Sequence, residues 1–389
     1  MRTISQYLCR HICRKEEHHH RKKGHEKKAK PTVSTCWYDL CGIRCSIASG
    51  PDCANHKTKD LSQNMLSYTV LLRLYGYVIV YSFGTWIFMR QIFSYCNGQP
   101  TKKFNYVRQE QKVFIVTGGM GGIGRKVVER LLSLGSFVII TGRRSEKDLS
   151  LRQSFEDISK ISSRYQYFKV DLESMTDTVR FCEEVNVSFS RLDGIVCNAG
   201  TLGGSYRLTS EHFESQQAVN YLSPIVIIDR LKAKLKSTKQ GRVVLVTSAV
   251  HYVNFCNLDD FMFNEGYCPY LGYVQSKLAL VSYARHVGPS LFQKYGFTVN
   301  AVHPGIVNTG LYGSLLIKTI GRITFISPMT ASETILFPLL STTMENVTCQ
   351  YMENCQVVPP AKKTMDSKFN RQLYELTRHL LAPWLLVDQ

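Results

Sequence analysis

Acidic residues are scarce in this sequence. It has 30 Asp and Glu against 48 Lys and Arg, which gives a formal charge of +18 over 389 residues. Such an excess favours nucleic acid, an anionic membrane or a phosphate-bearing ligand as partner. The basic side chains are densest in residues 1–60, where Tyr7, Trp37 and Tyr38 are the only aromatic residues that could stack on bases. We therefore expect no nucleic-acid binding.

Zinc-site spacing is also lacking. None of the 13 cysteines forms a Cys-x-x-Cys pair, and six lie irregularly spaced in the first 53 residues. We expect neither a metal site nor a secreted disulfide scaffold. Residues 1–64 are polar and without apolar periodicity, which predicts a disordered basic arm rich in Cys and His. Hydrophobic residues make up 44% of the sequence, enough for the remainder to bury a core.

Long uncharged apolar runs are absent, with one exception. Leu74–Met89 carries no charge, and Arg73 is the only charged residue between positions 66 and 89. A bilayer-spanning helix needs about 20 apolar residues, and an arginine near its end can reach the headgroups. We predict a membrane-anchor segment over residues 65–93 that contacts the membrane through residues 66–89. A buried or surface-lying helix is the alternative.

Met65 opens this segment, and a chain beginning there would lose nothing with a structural pattern. We hypothesise that residues 1–64 are dispensable or absent from the native protein, which abundant native peptides from this arm would contradict. Close to the anchor, the basic residues include Lys59 and Arg73 on its N-terminal side and Arg90, Lys102, Lys103 and Arg108 on its C-terminal side. This bias favours a cytosolic position for the residues after the anchor, and we expect attachment to the endoplasmic reticulum.

Short apolar segments rich in β-branched residues recur after Lys112 and predict strands buried on both faces. Helical segments such as Arg125–Leu134 and Leu278–Tyr295 separate them. Such alternation indicates an α/β fold over residues 112–380, a doubly wound parallel sheet of the Rossmann type with helices on both faces. The predicted strands are Val113–Val116, Phe137–Thr141, Tyr167–Val170, Gly194–Cys197, Arg242–Thr247 and Thr298–Val302.

A glycine-rich turn connects the first strand to a helical segment. Glycines let the backbone approach a pyrophosphate, whose charge is stabilised by free N–H groups at a helix start. The strand–turn–helix context predicts dinucleotide binding, and a purely structural turn is the alternative. The residues expected to contact the dinucleotide here are Thr117, Gly118, Gly122, Ile123 and Gly124.

The second strand is not followed by the acidic residue that NAD-binding sites use to bind the ribose hydroxyls. Arg143 and Arg144 stand there instead. Because a guanidinium matches a 2′-phosphate, we expect NADP(H) as cofactor rather than NAD(H). A solvated loop charge is the alternative.

Three further motifs follow later strands. Asn198-Ala199-Gly200 comes after the fourth strand and Ser248 after the fifth, while Tyr273 and Lys277 lie four residues apart on one helical face. With the glycine turn, these motifs resemble the short-chain dehydrogenase/reductase superfamily from about Lys112 to Leu380. The interval between Ser248 and Tyr273 resembles its retinol-dehydrogenase-like branch. Ser223 and Leu245 depart from that family's common residues at positions that affect packing.

The resemblance implies roles for individual residues. Tyr273 would be the acid/base, and Lys277 would lower the pKa of its phenol and hold the nicotinamide ribose. Ser248 would stabilise charge on the reacting oxygen, and Asn220 would order a water in the proton path. The other implied cofactor contacts are Asp171 and Leu172 at the adenine, Asn198, Ala199 and Gly200 beside the central sheet, and Pro304, Gly305 and Thr309 at the nicotinamide amide.

The substrate is expected to be a lipophilic small molecule. Leu311 to Ile326 is largely apolar, which suits a lid over such a substrate, or a plain helical lid with a buried face. By resemblance the substrate is a retinoid-, polyprenol- or steroid-like alcohol, aldehyde or ketone, and the protein is a homodimer. Two other functions stay open: a catalytically inactive dinucleotide-binding regulatory protein of the same fold, and a basic adaptor acting through the arm. We leave His251 and His303 out of the catalytic set.

Overall fold

The computed structural model describes residues 51–96, 104–238, 240–307 and 326–386. The chain divides into two compact units, Met1–Asn64 and Met65–Gln389. Helix α1 covers Pro51–Cys96, so it includes residues 51–64, which we expected in the disordered arm. Proline is favourable in a first helical turn, and neither glycine nor proline interrupts the sequence before Gly76. The remainder of the predicted arm lies outside the described residues.

One segment of α1, Ser67–Gln91, is long and apolar enough to cross a membrane. It coincides with the predicted anchor at residues 66–89. Of its most apolar stretch, only 11% is buried within the protein. The segment therefore has an apolar surface that the described part of the chain leaves largely uncovered.

The unit Met65–Gln389 contains an eight-stranded sheet of order β3-β2-β1-β4-β5-β6-β7-β8. All neighbouring strands pair in parallel except β7 and β8. The predicted doubly wound parallel sheet is thus confirmed. The strands are β1 Val113–Thr117, β2 Phe137–Gly142, β3 Tyr165–Lys169, β4 Gly194–Cys197, β5 Arg242–Val246, β6 Thr298–His303, β7 Tyr351–Glu353 and β8 Gln356–Val357.

Helices cover both faces of this sheet. Ile115 belongs to one core cluster, whereas Phe114 and Val116 belong to the other, so alternate side chains of β1 enter cores on opposite faces. Among the described residues, the α-helices after α1 are α2 Gly122–Ser133, α3 Leu149–Ile161, α4 Met175–Ser188, α5 Ser215–Gln217, α6 Ser223–Lys236, α7 Pro269–Tyr295, α8 Pro328–Leu340 and α9 Ser367–Leu380. A π-helical turn, Ala218–Leu222, joins α5 to α6.

Some element boundaries differ from the prediction. The third strand begins at Tyr165, two residues before the predicted Tyr167. Helix α7 begins at Pro269, ahead of the predicted helical segments Tyr273–Lys277 and Leu278–Tyr295, because Pro269 occupies its first turn and Gly272 is tolerated inside it. Strands β7 and β8 were not predicted, since three and two residues are too few to show an alternating pattern.

The sheet order reverses between β1 and β4. Ligands of doubly wound sheets bind at such a switch point, outside the carboxyl ends of the strands. The glycine turn after β1 and the segments after β4, β5 and β6 all reach this edge.

Candidate active site

A cavity of about 550 Å³ opens at the carboxyl edge of the sheet. Gly118, Gly122 and Ile123 line it from the turn after β1. Ala199 and Gly200 line it after β4, as does Asn198. The fold therefore brings the predicted glycine turn and the Asn-Ala-Gly motif to one side of a single cavity.

The glycine turn leads into α2 without a side-chain cap. Gly118 and Gly122 have φ of +66° and +53°, a region that favours glycine. The N-cap Gly121 has no side chain to accept from the N–H groups of the first turn, and that turn contains no acidic residue. The first turn thus has no negative side chain that would repel a phosphate from the positive end of the helix dipole. These residues therefore fit a bound pyrophosphate.

Thr117 and Asn198 connect β1 to β4 beneath this turn. The Asn198 Nδ2 donates to the Thr117 carbonyl at 2.9 Å, and the main-chain N–H groups of Asn198 and Ala199 donate to Thr117 Oγ1 at 3.0 Å each. A Cβ on Gly124 would lie only 2.5 Å from Asn198 Nδ2. Thr117 and Gly124 do not line the cavity. Their contacts hold β1, the segment after β4 and α2 together beneath it.

Ser248, Tyr273 and Lys277 line the same cavity. The Lys277 Nζ donates to the Val246 carbonyl at 2.9 Å and lies 5.6 Å from the centroid of the Tyr273 ring. Burial lowers the pKa of Lys277 to about 8. Thr247 Oγ1 donates to the Lys277 carbonyl at 2.7 Å, which ties the end of β5 to α7.

The main chain around Ser248 is held by His251. Ser248 caps a 3₁₀ turn, Ala249–Val253, and His251 lies fully buried inside it. The His251 Nδ1 lies 2.9 Å from the Ser248 carbonyl, and its Nε2 accepts from the Ala361 N–H at 3.2 Å. Because Nε2 is an acceptor, the proton is on Nδ1 and the ring is neutral. Burial lowers the pKa of His251 to about 4.

Asn220 lies in the π-helical turn and is buried. Its Nδ2 donates to the Thr201 carbonyl at 2.9 Å and to Ser276 Oγ at 3.0 Å, while its Oδ1 accepts from the Thr201 N–H at 2.8 Å. Ser276 Oγ in turn donates to the Tyr273 carbonyl at 2.8 Å. The Asn220 amide thus links the loop after β4 to the helix that carries Tyr273. π-Helical turns are frequent at functional sites.

The two basic residues after β2 have different surroundings. Arg143 lines the cavity, its side chain is 70% exposed, and its Nη1 lies 3.6 Å from Glu173 Oε1. Glu173 is also paired through both carboxylate oxygens with Arg207, whose hydrogen bonds lower the pKa of that carboxyl. Arg144 does not line the cavity, and its Nη1 donates to Ser150 Oγ at 2.7 Å.

The other predicted cofactor residues also divide into those that line the cavity and those that do not. Leu172, Pro304 and Gly305 line the cavity, whereas Asp171 does not; Asp171 Oδ1 accepts from the Glu173 N–H at 3.0 Å. Thr309 and the apolar lid up to residue 325 lie outside the described residues.

Sequence reasoning missed several lining residues. His303 ends β6, lines the cavity and is buried, and burial lowers its pKa to about 4. Its Nδ1 makes no hydrogen bond within the described part of the chain. The residues around His303 do not show that its side chain lines a cavity. Its place at the carboxyl end of β6 could have predicted this, because ligands of such sheets bind there. The other missed lining residues include Thr141, Val170, Thr201, Leu202, Val219 and Val307.

The chain is similar in sequence to a known family and to named proteins. The family model described as short chain dehydrogenase matches residues 112–318. The chain is similar to a polyprenol dehydrogenase of Homo sapiens, with 29% identity over 76% of this chain and 92% of the relative. It is also 30% identical to retinol dehydrogenase 14 of Homo sapiens, over 70% of this chain and 86% of the relative.

Solved structures share the fold. A crystal structure of an uncharacterized protein from Mycobacterium Paratuberculosis matches with a TM-score of 0.58 and 22% identity, over 72% of this chain and 96% of that chain. A protein from Beutenbergia cavernae, described as an NAD(P) dependent gluconate 5-dehydrogenase with bound NADP, matches with a TM-score of 0.52 and 20% identity, over 63% of this chain and 96% of that chain.

Proposed function

The chain belongs to the short-chain dehydrogenase family, in its retinol-dehydrogenase-like branch, and we propose that it is an NADP(H)-dependent oxidoreductase of a lipophilic alcohol and its aldehyde or ketone. The observation that carries this proposal is that Ser248, Tyr273 and Lys277 line the same cavity as the glycine turn. The dinucleotide, when bound, supplies or accepts the hydride.

Tyr273 is the proposed acid/base. Its phenol gives a proton to the carbonyl oxygen during reduction and takes one from the alcohol during oxidation. A free phenol has a pKa of about 10, and a nearby cation lowers it. Lys277 is the proposed cation, because its Nζ lies 5.6 Å from the Tyr273 ring centroid in a buried site where charge is weakly screened. The hydroxyl of Ser248 would hydrogen-bond the reacting oxygen and stabilise its developing charge.

Asn220 is the proposed fourth member of the set. Its amide holds Thr201 and Ser276 in place, and these lie next to the cavity-lining Gly200 and Lys277. An amide held at both ends can keep a water oriented between the lysine and solvent, which is the proton path that Tyr273 needs.

NADP(H) is the proposed cofactor. Arg143 has an exposed guanidinium at the rim of the cavity, where the 2′-phosphate of the adenosine ribose would lie. Its acidic neighbour Glu173 also pairs with Arg207, so Glu173 competes less with a phosphate for the Arg143 guanidinium. Arg144 donates to Ser150 and would contribute less.

The proposed substrates are isoprenoid or steroid alcohols and their carbonyl forms. The human relatives are named for polyprenol and retinol, which are both long apolar alcohols. The apolar helix Ser67–Gln91 would bring the enzyme to the membrane in which such molecules dissolve. We propose attachment to the endoplasmic reticulum with a cytosolic catalytic unit, and a homodimer formed through α6 and α7.

The test is NADPH oxidation by the detergent-solubilised chain with a panel of retinoid, steroid and polyprenoid aldehydes and ketones. We expect turnover with NADPH that Tyr273→Phe abolishes and NADH supports poorly. Tyr295→Phe, at the far end of the same helix, is the matched control and should retain the wild-type rate.

Calorimetric binding of NADPH separates the remaining outcomes. Binding without turnover in either direction across the panel would show a catalytically inactive dinucleotide-binding protein. Turnover that survives in Tyr273→Phe would refute the assigned acid/base, and preference for NADH would refute the cofactor assignment.

A further inference from the structure

The apolar segment Ser67–Gln91 of α1 packs against residues at the start of α7. Arg73 Nε donates to the Tyr267 carbonyl at 3.1 Å. At Gly76 the two helices approach so closely that a Cβ would overlap with the Sγ of Cys268 and lie 3.0 Å from Leu271. Residues 267–271 immediately precede Tyr273, so this contact adjoins one side of the cavity.

The other end of the segment is attached at the carboxyl ends of β6 and β7. Arg90 forms a 2.8 Å ion pair with Glu353, the last residue of β7. The side-chain amide of Gln91 binds the main chain of Ile306 twice: its Oε1 accepts from the Ile306 N–H at 2.9 Å, and its Nε2 donates to the Ile306 carbonyl at 3.4 Å. One helix therefore connects the start of α7 to the loop after β6.

Ile306 lies within that loop between residues that line the cavity. Pro304 and Gly305 precede it and Val307 follows it, and all three line the cavity. The Ile306 carbonyl also accepts from the Ile326 N–H at 3.0 Å. The main-chain N–H of Ile306 has Gln91 Oε1 as its acceptor, so the loop is bound to a side chain from a distant part of the sequence.

The opposite face of the segment is apolar and exposed. Leu71, Leu74 and Val78 are each more than half exposed, as are Met89 and Phe93 beyond them. The inner face contacts residues after α1 at several points from Arg73 to Gln91. The outer face is therefore the part of the helix available to lipid. The two faces thus have separable roles.

We propose that Gln91 is a positioning residue for the loop Pro304–Val307, so that the membrane-binding helix is also part of the active-site framework. The inference rests on the proposed function only in taking that loop as a cofactor contact. Without the Gln91 acceptor, the Ile306 N–H loses its partner and the loop moves away from the bound dinucleotide. The expected result is weaker dinucleotide binding and slower turnover, with unchanged membrane binding.

The experiment compares Gln91→Ala, Gln91→Glu and the outer-face double variant Leu74→Ser/Val78→Ser in the full chain. Because small displacements in a site have large effects on binding and rate, we expect Gln91→Ala to raise the calorimetric Kd for NADPH by about tenfold and to lower kcat. Gln91→Glu keeps an acceptor for the Ile306 N–H but loses the donor to the Ile306 carbonyl, so its Kd should lie between those of wild type and Gln91→Ala. The double variant should weaken flotation with phosphatidylcholine vesicles and leave the Kd unchanged.

Hydrogen exchange of the Ile306 amide gives a readout that requires no cofactor. It should be faster in Gln91→Ala and unchanged in the outer-face variant. Unchanged exchange in Gln91→Ala, or vesicle binding lost in parallel with NADPH affinity, would overturn the proposal. If the wild-type chain binds no NADPH, the cofactor assignment fails, and the exchange rate alone still decides whether Gln91 holds the loop.

Discussion

The imidazole of His251 donates its Nδ1–H to the main-chain carbonyl of Ser248, over 2.9 Å. Its other nitrogen accepts from the Ala361 N–H, so both ring nitrogens are used and the ring does not reach the reacting atoms. His251 therefore holds the main chain of Ser248, the residue proposed to stabilise charge on the reacting oxygen. We therefore keep His251 outside the proposed catalytic set.

We predict a loss of folding stability with acid that originates in the two buried histidines. Burial lowers the pKa of His251 and of His303 to about 4, below the ordinary value of 6.5 in the unfolded chain. The unfolded chain therefore binds protons first, and the free energy of unfolding falls as the pH drops from about 6.5 towards 4. Urea unfolding at pH 7.5, 6, 5 and 4.5 measures it. His251→Phe should reduce this slope; an equal slope in the variant would contradict the assignment.

We predict that turnover declines as the pH rises above about 8. Burial lowers the pKa of Lys277 to about 8, and the neutral amine no longer lowers the pKa of the Tyr273 phenol. Lys277→Met should reduce kcat by about 100-fold or more, the usual size of an acid–base contribution. Lys294→Met, in the last turn of the same helix, is the control. A rate that stays constant to pH 10 would refute this role of the lysine.

We predict that Arg143 rather than Arg144 determines the preference for NADP(H). Arg143→Ala should lower kcat/KM for NADPH by about 10- to 100-fold, since a hydrogen bond to a charged group contributes about 1.5–3 kcal/mol. It should leave kcat/KM for NADH within about twofold, because NADH has no 2′-phosphate. Arg144→Ala should have a smaller effect, because that side chain donates to Ser150. Steady-state kinetics with both cofactors tests this, and equal losses in the two variants would contradict it.

We predict that Gly124 cannot accept a methyl group. A Cβ there would lie 2.5 Å from Asn198 Nδ2 and from the Gly118 carbonyl, so β1, β4 and α2 would have to separate. Gly124→Ala should lower the free energy of unfolding by about 1–3 kcal/mol, as other overpacked positions do. Gly121→Ala is the matched control, since nothing lies within 4 Å of its Cβ position and its φ of −152° suits alanine. Thermal unfolding without cofactor measures both, and equal destabilisation would contradict the packing argument.

Local chemistry was sufficient to predict the sheet and much of the cavity. Phe137–Gly142 and Gly194–Cys197 are short buried runs whose pattern is visible without knowledge of their neighbours. Tyr273 and Lys277 lie on one face of α7 because of helical periodicity alone. The same reasoning could not find β7, since Tyr351–Glu353 is a strand through its pairing with β6 and β8.

The sequence by itself determined that this chain forms a doubly wound sheet with a glycine turn, and that residues 66–89 are apolar enough for a membrane. Backbone propensity and side-chain polarity act within a few residues, and they are present in the order of the amino acids. Only the tertiary structure decided that Arg143 lines the cavity and Arg144 does not, and that Gln91 binds Ile306 across 215 positions of sequence. Such contacts depend on how helices pack on the sheet, and packing brings together residues whose separation along the chain carries no signal.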